Sequence, residues 1–477
     1  MFKPLYWLTA LTAAFAVPLT AHAADSKELA EIREQIKQIK ESYEARIQAL
    51  EARLKEWENK AQAIESKAPP ADSTINPTSE PRKEAAVEPA SPTAARGAAS
   101  TGIAAFNPAV SLVLQGRYAN LSQDPDRFGI SGFIPGGATG PGKRGFSLSE
   151  TEFTMSANVD DKFFGQATFS VTPENTIAVE EAYALTSALP PGLTLKAGRF
   201  FSGIGYQNEQ HQHAWDFIDA PLAYQAFLGG QFGNDGVQLK WLAPTDLFVE
   251  LGAEVGSGEN FPGTARNRNG ANSGALILRL GGDIGYSTSW LVGLSGLQTH
   301  ADNREYATTD LFGNGVTNSF TGKSRVGVAD FVFKYAPNGN PLVTNFKLQG
   351  EYFTRRESGD LTFDANGLLG LTHADAYGSR QSGWYLQSVY QFMPYWRVGL
   401  RYDHLNPGTV SYASNAAFLD NPGFAPHRAS LMFDWSPSEF SRMRLQFARS
   451  QTLPDLTDNQ MFLQYIMTLG AHGAHKF

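Results

Sequence analysis

The sequence has no cysteine, and beyond its first twenty-odd residues it has no run of 18 or more apolar residues. The first absence excludes a disulfide framework, and the second excludes a membrane-spanning helix in the body of the chain. The formal net charge is −8, and the chain shows no basic surface of the kind that binds nucleic acid. It also lacks a nucleophile–base pair, a glycine-rich phosphate loop and an HExxH-type motif, so the sequence predicts a protein that is not an enzyme.

The beginning of the chain predicts export from the cytoplasm. Residues 1–23 combine Lys3, an apolar core and Ala21-His22-Ala23, which is typical of a secretory signal peptide with a small-x-small cleavage site. A short membrane anchor is the alternative interpretation. Residues 24–66 then show apolar residues in alternating steps of three and four, beginning Leu29, Ile32, Ile36 and Ile39. This spacing predicts a periplasmic coiled coil, with these Leu and Ile positions favouring three strands, whereas a single solvated helix is the alternative.

Residues 67–106 are rich in Pro, Ala, Ser and Glu, a composition that predicts an extended tether without a core. Residues 107–477 show short alternating runs separated by Gly, Asn and Asp, and aromatic residues make up 12% of the chain. These runs predict an all-β fold, a 16-stranded antiparallel transmembrane β-barrel. The predicted strands are approximately 109–121, 144–159, 162–172, 175–187, 192–203, 234–243, 246–257, 272–283, 287–300, 323–336, 342–357, 380–393, 394–405, 427–436, 439–451 and 459–477.

The connections between these strands predict the orientation of the barrel. Those after even-numbered strands are all short, such as Asp160-Asp161, whereas most of those after odd-numbered strands are long, including 204–233, 301–322 and 358–379. Short periplasmic turns and longer extracellular loops are typical of outer-membrane barrels. An even number of strands places both barrel ends, and with them the coiled coil, in the periplasm. A soluble β-sandwich or propeller does not explain such one-sided loop lengths.

The two faces of each predicted strand differ in polarity. Strand seven alternates Leu247, Val249 and Leu251 with Glu250 and Glu254. Apolar groups facing lipid and charged groups facing a polar lumen fit a barrel of this size, which leaves an aqueous channel. The chain ends on Phe477, and a terminal Phe after an alternating strand resembles the ending of bacterial outer-membrane β-barrels.

The segment 195–200, Leu-Lys-Ala-Gly-Arg-Phe, followed by a glycine-rich turn and Glu209, resembles the phosphate-selective porin O/P group of outer-membrane porins. That resemblance implies a trimer of 16-stranded barrels whose third extracellular loop folds into the pore. The added coiled coil resembles the periplasmic extension of some sugar porins. Similar sequences are also labelled TonB-dependent receptors, but those proteins carry a globular plug before a larger barrel.

The chain departs from this group in its third loop. Phosphate selectivity in the group depends on Lys and Arg at the constriction, yet residues 202–233 contain neither. The candidate constriction residues are Glu209, His211, His213, Asp216 and Asp219. Three carboxylates in a narrow pore predict a modest cation preference and no phosphate site.

The two histidines of this loop also predict a second kind of site. In an extended segment His211 and His213 point the same way, and with a neighbouring carboxylate they form a set of ligands suited to zinc. In the alternative interpretation they hydrogen-bond the barrel wall and fix the loop. His472 and His475 form a weaker pair, because their odd spacing puts them on opposite faces of a strand.

Inward arginines on strands thirteen to fifteen complete the predicted pore. They are Arg397, Arg401, Arg428, Arg442 and Arg444. An arginine wall facing an acidic loop sets up a field across the pore, whereas pairing with Asp403, Asp434 and neighbouring carboxylates only stiffens the wall.

The sequence thus predicts a homotrimeric porin in the outer membrane of a Gram-negative bacterium. Small hydrophilic solutes or ions diffuse through its channel, and no cofactor is required. The alternative function is receptor-like uptake of a metal ion such as zinc, gated by the third loop. In either case the coiled coil is a candidate contact with peptidoglycan.

Overall fold

The computed structural model describes Lys37 and residues 108–470, apart from positions 135, 137–138, 174–175, 187, 265–267 and 422. The chain divides into two compact units, Met1–Glu88 and Pro89–Phe477. In the first unit only Lys37, which is helical, is described. The predicted signal peptide, the rest of the coiled coil with its peptidoglycan contact, and the tether lie outside the described residues, and so do His472, His475 and Phe477.

The second unit contains a closed antiparallel barrel of sixteen strands. Strand β2 consists of two segments separated by a break at Ser149 and Glu150. Both segments pair with β1 on the same side, so they count as one strand. The strands are β1 Ala109–Leu121, β2 Gly145–Leu148 with Thr151–Asn158, β3 Phe163–Val171, β4 Ile177–Thr186, β5 Leu193–Phe201, β6 Gly233–Leu242, β7 Phe248–Gly256, β8 Ser273–Ile284, β9 Thr288–Thr309, β10 Gly315–Tyr335, β11 Asn345–Phe363, β12 His373–Met393, β13 Trp396–Ser411, β14 His427–Ser438, β15 Ser441–Leu453 and β16 Leu456–Gly470.

The first and last strands close the barrel. Strand β1 pairs with β16 from Ser111 opposite Gly470 to Leu121 opposite Gln460. Every other strand pairs with its neighbours in sequence, so no strand has a free edge within the described residues. The predicted fold class and strand number are therefore confirmed. No helix in the described part of the chain is long and apolar enough to cross a membrane.

The alternation of inward and outward side chains is also confirmed. On β11 the inward Glu351, Phe353 and Arg355 are buried, whereas Tyr352 and Thr354 between them are exposed. Because successive residues of a strand point to opposite faces, this pattern places polar groups inside the barrel and leaves an apolar outer face.

The wall of the barrel is uneven in height. Strands β9 to β12 have 19 to 22 residues, whereas β3 to β7 have 9 or 10. At about 3.3 Å per residue, the tall strands are about twice as long as the low ones. We call β9 to β12 the tall wall and β3 to β7 the low wall.

Two of the predicted loops belong largely to the strands of the tall wall. The ranges 301–322 and 358–379 are mostly strand, and the connections that remain are residues 310–314 and 364–372. The sequence prediction ended these strands where the apolar alternation stops. Backbone pairing between β9 and β10 continues to Thr309 opposite Gly315. Outside the apolar band the outer face is polar, so the alternation disappears while the hydrogen bonds continue.

The interior of the barrel is filled in part by residues 202–232, the connection between β5 and β6, which we call the inner loop. It contains the helix α1, Leu222–Leu228, and every residue of that helix is buried. Phe227 stacks on Phe353 of β11 with ring centroids 5.9 Å apart, and Tyr224 meets the same ring edge-on at 5.0 Å. This apolar contact holds the loop inside the barrel, as predicted for the third loop.

Candidate functional site

The inner loop is closed at its base by an asparagine. The side-chain amide of Asn208 donates to the carbonyls of Ser202 and Phe232, both at 2.8 Å, and its oxygen accepts from the backbone of Phe232 at 2.8 Å. Glu254 on β7 accepts from the Ser202 hydroxyl at 2.5 Å and from the Gly203 backbone at 2.8 Å. These hydrogen bonds join the two ends of the inner loop to each other and to β7.

Glu351 on β11 is the central acceptor for the loop. Its carboxylate accepts from the backbone of Tyr206 at 3.2 Å and of Gln207 at 3.1 Å, and from the Tyr385 hydroxyl at 2.6 Å. A β-carbon at Gly205, which has φ of +69°, would lie 2.4 Å from Glu351 Oε2. Only glycine fits both this left-handed backbone and this close approach.

Helix α1 is positioned from both ends. The backbone of Leu222 donates to Asp403 Oδ1 at 2.9 Å, and the guanidinium of Arg355 donates to the carbonyl of Ala226 at 3.0 Å. The helix ends at Gly229, whose φ of 68° is the left-handed conformation common at helix C-termini.

Asp216 and Asp219 of the inner loop meet the predicted arginine wall. Asp216 accepts from Lys347 Nζ and from Arg397 Nη1, each at 3.0 Å. Asp219 accepts from Arg401 Nη2 at 2.7 Å and also from Arg428. The pKa of Asp216 reflects opposing effects: burial raises it, but the charges of Lys347 and Arg397 outweigh burial, so the pKa lies well below its usual range.

The five predicted arginines all contact the inner loop. Arg444 Nη2 donates to the carbonyl of Trp215 at 2.8 Å, and Arg442 Nη1 donates to that of His213 at 3.4 Å. Arg397 also pairs with Asp434 on β14. These arginines therefore bind the inner loop and also pair with wall carboxylates, and the field across the pore stays a prediction.

Three of the wall arginines have little contact with solvent. The side chains of Arg401, Arg428 and Arg444 are 1%, 4% and 1% exposed. Those of Arg397 and Arg442 are 20% and 22% exposed, so these two are the members of the wall that a solute can reach.

Glu209 is paired in the same way on the other side of the loop. It accepts from Lys240 Nζ at 2.8 Å and from Arg279 Nη1 at 2.9 Å. All three loop carboxylates are thus neutralised by partners on the wall. The selectivity prediction expected their sign to outweigh that of more distant arginines, whereas Arg397 and Arg401 lie in direct contact with Asp216 and Asp219. The sequence analysis did not identify Lys240, Arg279 or Lys347 as partners, because inward position is readable along a strand, whereas pairing across the lumen is not.

His211 and His213 lie together against carboxylates of β2 and β4. Their rings are nearly parallel with centroids 5.8 Å apart. His211 Nδ1 lies 3.1 Å from oxygens of both Glu152 and Glu180, and its Nε2 lies 3.1 Å from Glu181 Oε2. His213 Nδ1 lies 2.9 Å from Glu152 Oε1. The histidines therefore fix the loop to the wall, as one interpretation predicted.

The same contacts govern the protonation of His211. Burial lowers its pKa, but the charge of Glu152 and hydrogen bonds with Glu152, Glu180 and Glu181 outweigh burial, so the pKa lies well above its ordinary value. The protonated ring then donates from both nitrogens to carboxylates.

This cluster also contains a candidate metal site. His211, Glu152 and Glu180 each offer one ligand atom, and these atoms lie within 4.8 Å of one another. The zinc prediction expected the carboxylate to come from the inner loop, whereas here it comes from the wall. Glu152, Glu180 and Glu181 were not singled out in the sequence, although adjacent glutamates within a strand were a signal available there.

No family model matches the chain. Many solved structures are similar to it at low identity, including the three that follow. OmpT of Vibrio cholerae, an outer membrane protein in its trimer form, is 9% identical, with 76% of this chain and 99% of that chain covered and a TM-score of 0.46. The outer membrane channel DcaP of Acinetobacter baumannii is 12% identical, with 77% and 99% covered and a TM-score of 0.46. The anion-selective porin of Comamonas acidovorans is 10% identical, with 76% and 99% covered and a TM-score of 0.43.

The sequence comparison with curated proteins gives a stronger match. A protein of Aquifex aeolicus (strain VF5), described as uncharacterised, is 31% identical over 351 residues, which make up 70% of this chain and 71% of that protein. The chain therefore belongs to the same family as this Aquifex aeolicus protein.

Proposed function

We propose that the protein is a porin of the bacterial outer membrane, a channel through which small hydrophilic solutes and ions diffuse. The observation that carries the proposal is a closed barrel with an apolar outer face and charged side chains inside it, around an inner loop. A lumen lined by charge requires water, because an unpaired charge in an apolar medium is strongly unfavourable.

Several charged groups beside the inner loop are partly open to solvent, and we propose that they line the channel. Glu209 and Lys240 are 15% and 17% exposed, and Lys347 is 19% exposed. Together with Arg397 and Arg442 they form a ring of both signs. On one arc of this ring the positive charges of Lys347, Arg397 and Arg442 outnumber the negative charge of Asp216. On the arc formed by β2 and β4 the negative charges of glutamates predominate. We infer a field across the channel that orients dipolar solutes.

The ion selectivity of such a channel depends on charges that are not already neutralised. The cation preference stays a prediction, but its basis moves from the paired loop carboxylates to the carboxylate cluster around His211. Since the ring carries both signs, we propose weak selectivity and no dedicated phosphate site.

Conductance in planar bilayers tests the porin function. Purified, folded protein should insert and give discrete steps that scale with salt concentration, with a reversal potential close to zero and slightly towards cations in a salt gradient. Folded, inserted protein without conductance would overturn the proposal, and a strong anion preference would overturn the cation preference alone.

We also propose that three barrels assemble as a homotrimer through the outer face of β2 to β4. Large apolar side chains are exposed on this side of the barrel, including Phe146 of β2 at 89% and Ile177 of β4 at 76%. Native mass spectrometry of detergent-solubilised protein tests the assembly. Replacing Phe146 and Ile177 by Asn should yield monomers, whereas Leu276→Asn on the outer face of β8 should leave the trimer intact.

A metal-uptake function is the second candidate, and the ligand cluster of His211, Glu152 and Glu180 favours it. Zinc–nitrogen and zinc–oxygen bonds of about 2.0–2.1 Å place tetrahedral ligand atoms about 3.3 Å apart. The separations from His211 Nδ1 to both carboxylates are 3.1 Å. A zinc ion and a shared proton therefore compete for the same position, so binding should weaken as His211 is protonated.

Calorimetric titration of the folded protein with zinc separates these two occupants. The wild type should bind zinc more tightly at pH 8 than at pH 6, and His211→Ala and Glu152→Gln should abolish binding. The matched control His427→Ala lies on the outer barrel face and should bind like the wild type. Zinc binding that is equal in all variants would exclude this site while leaving the channel proposal unaffected.

A further inference from the structure

Three arginines form one row across the outer face of the tall wall. Arg325 of β10 is directly opposite Arg356 of β11, and Arg356 is directly opposite Arg380 of β12. All three side chains are exposed on the outer face. Because adjacent strands lie about 4.8 Å apart, the row spans about 10 Å. Three guanidinium groups are thus presented side by side on the outside of the barrel.

Such a row is unfavourable without an anion. Like charges directly opposite each other on neighbouring strands destabilise a sheet. Within the described residues none of the three arginines has a carboxylate partner, and Arg325 donates only to Gln298 Oε1, at 3.0 Å. The outward neighbours two positions away along each strand are Lys323, Gly327, Thr354, Ser358, Gly378 and Ser382, none of which is acidic.

An apolar groove begins beside this row, at Gly327 and Thr354, and extends across the outer face of the barrel from β11 to β6. Its floor is made of small residues, Gly296, Gly327 and Ala329, and its sides are formed by larger ones such as Leu294 and Tyr352. Gly296, Gly327 and Thr354 each lie two residues from a member of the row or from Gln298, on the same face. The groove therefore continues directly from the arginines.

The height of the row places it at the outer border of the lipid. Asn345, the first residue of β11, lies eleven residues before Arg356. At a tilt of about 40° this corresponds to about 28 Å along the membrane normal, just beyond an apolar band of about 25 Å. The arginines then lie at the depth of the lipid head groups of the outer leaflet, with the groove at the depth of the acyl chains.

We propose that this row and groove form a binding site for a phosphorylated glycolipid of the outer leaflet. Phosphate groups accept paired hydrogen bonds from the guanidinium groups, and one acyl chain lies in the groove over Gly296 and Gly327. The inference rests on the proposed outer-membrane location, but not on conduction, because these residues face away from the channel.

Native mass spectrometry of the purified, delipidated protein tests the site with three probes: a bisphosphorylated lipid A, its dephosphorylated form and inorganic phosphate. The wild type should retain the phosphorylated lipid. The triple variant Arg325→Gln/Arg356→Gln/Arg380→Gln should lower the apparent affinity by at least about tenfold. The control Arg449→Gln removes a single exposed arginine on the outer face of β15 and should bind like the wild type.

A variant of the groove tests the acyl-chain position independently. A β-carbon at Gly296 meets no atom within 4 Å, so Gly296→Leu fills the groove without disturbing the strand. It should weaken lipid binding with all three arginines intact. If the triple variant does not fold, Arg356→Gln alone removes the centre of the row, and its affinity should fall measurably.

The outcomes separate this inference from the channel proposal. Equal lipid binding by the triple variant and Arg449→Gln would overturn the site, as would equal binding of the dephosphorylated lipid. Displacement of the lipid by millimolar inorganic phosphate would show a phosphate site instead of a lipid site. Channel conductance of the triple variant should equal that of the wild type. Arginine-dependent lipid binding by a protein that never conducts would overturn the porin function alone.

Discussion

Tyr224 of helix α1 donates its hydroxyl to the carboxylate of Glu351 on the barrel wall, with oxygen separations of 3.0 and 2.9 Å. The same carboxylate binds the backbone at Tyr206 and Gln207, near the start of the inner loop. One wall residue thus joins two parts of the loop that are far apart along the chain. This shared acceptor fixes the shape of the loop as well as its position.

Replacing Tyr224 by Phe should loosen helix α1. The change removes a buried hydrogen bond to the carboxyl group of Glu351, and such a bond contributes about 1 kcal/mol to the free energy of unfolding. We expect a lower midpoint of denaturant unfolding and noisier single-channel currents. Tyr402→Phe, on the exposed outer face of β13, is the matched control and should leave both unchanged. An identical trace and midpoint for Tyr224→Phe would contradict the role of this contact.

Replacing Asp216 by Asn should shift the channel towards anions. The amide leaves Lys347 and Arg397 without their loop carboxylate, and both are open enough to reach the channel water. We expect the reversal potential in a salt gradient to move in the anion-selective direction by several millivolts, and stability to fall by about 1–3 kcal/mol. Asp420→Asn, on an exposed loop, should change neither quantity. A reversal potential that stays constant in Asp216→Asn would show that this pair does not face the conducting path.

The stability contributed by His211 should depend on pH. Its pKa is raised in the folded state, so its stabilising effect is fully present below the unfolded value of about 6.5 and is lost as pH rises through the folded pKa. We therefore expect His211→Ala to destabilise the protein most at pH 6 and progressively less at alkaline pH. Denaturant unfolding of both proteins between pH 6 and pH 10 measures this difference. A loss of stability in His211→Ala that grows with pH would contradict the expected sign.

The absence of cysteine makes the orientation of the barrel directly testable. Phe312→Cys places a thiol on the short connection between β9 and β10, where the native side chain is 71% exposed. Asn340→Cys places one on the opposite end of the barrel, between β10 and β11. A membrane-impermeant maleimide applied to intact cells should label the first and not the second, and lysed cells should allow both to react. The reverse pattern in intact cells would invert the proposed topology.

The sequence predicted the barrel because its strands carry their own periodicity. A two-residue alternation, such as that of β7, is visible without any knowledge of neighbouring strands. The strand number followed from it, whereas the loop inside the barrel was implied by the resemblance of residues 195–200 to a group of porins. The upper part of the tall wall did not follow from the alternation, because its outer face is polar beyond the lipid and no apolar alternation marks it.

The loop residues and arginines named from the sequence lie inside the barrel, but most of their pairings were not predicted. Each loop carboxylate and each wall arginine was found from position alone. That Glu209 pairs with Arg279 on β8, or that His211 meets Glu180 on β4, depends on how the loop crosses the lumen. A long loop has no repeating pattern that encodes this path, so the partners of its charged residues could not be predicted from the sequence.

The inner loop lies early in the chain, but most of its partners come much later. Tyr224 and Glu351 are separated by 127 positions, and Trp215 and Arg444 by 229. The loop therefore has no complete docking surface until the last strands are in place. A barrel that closes before the inner loop docks would have a wider lumen than the final structure. Cells that express a variant with slow loop docking would therefore show increased permeability of the outer membrane, although the barrel itself is fully inserted and correctly folded.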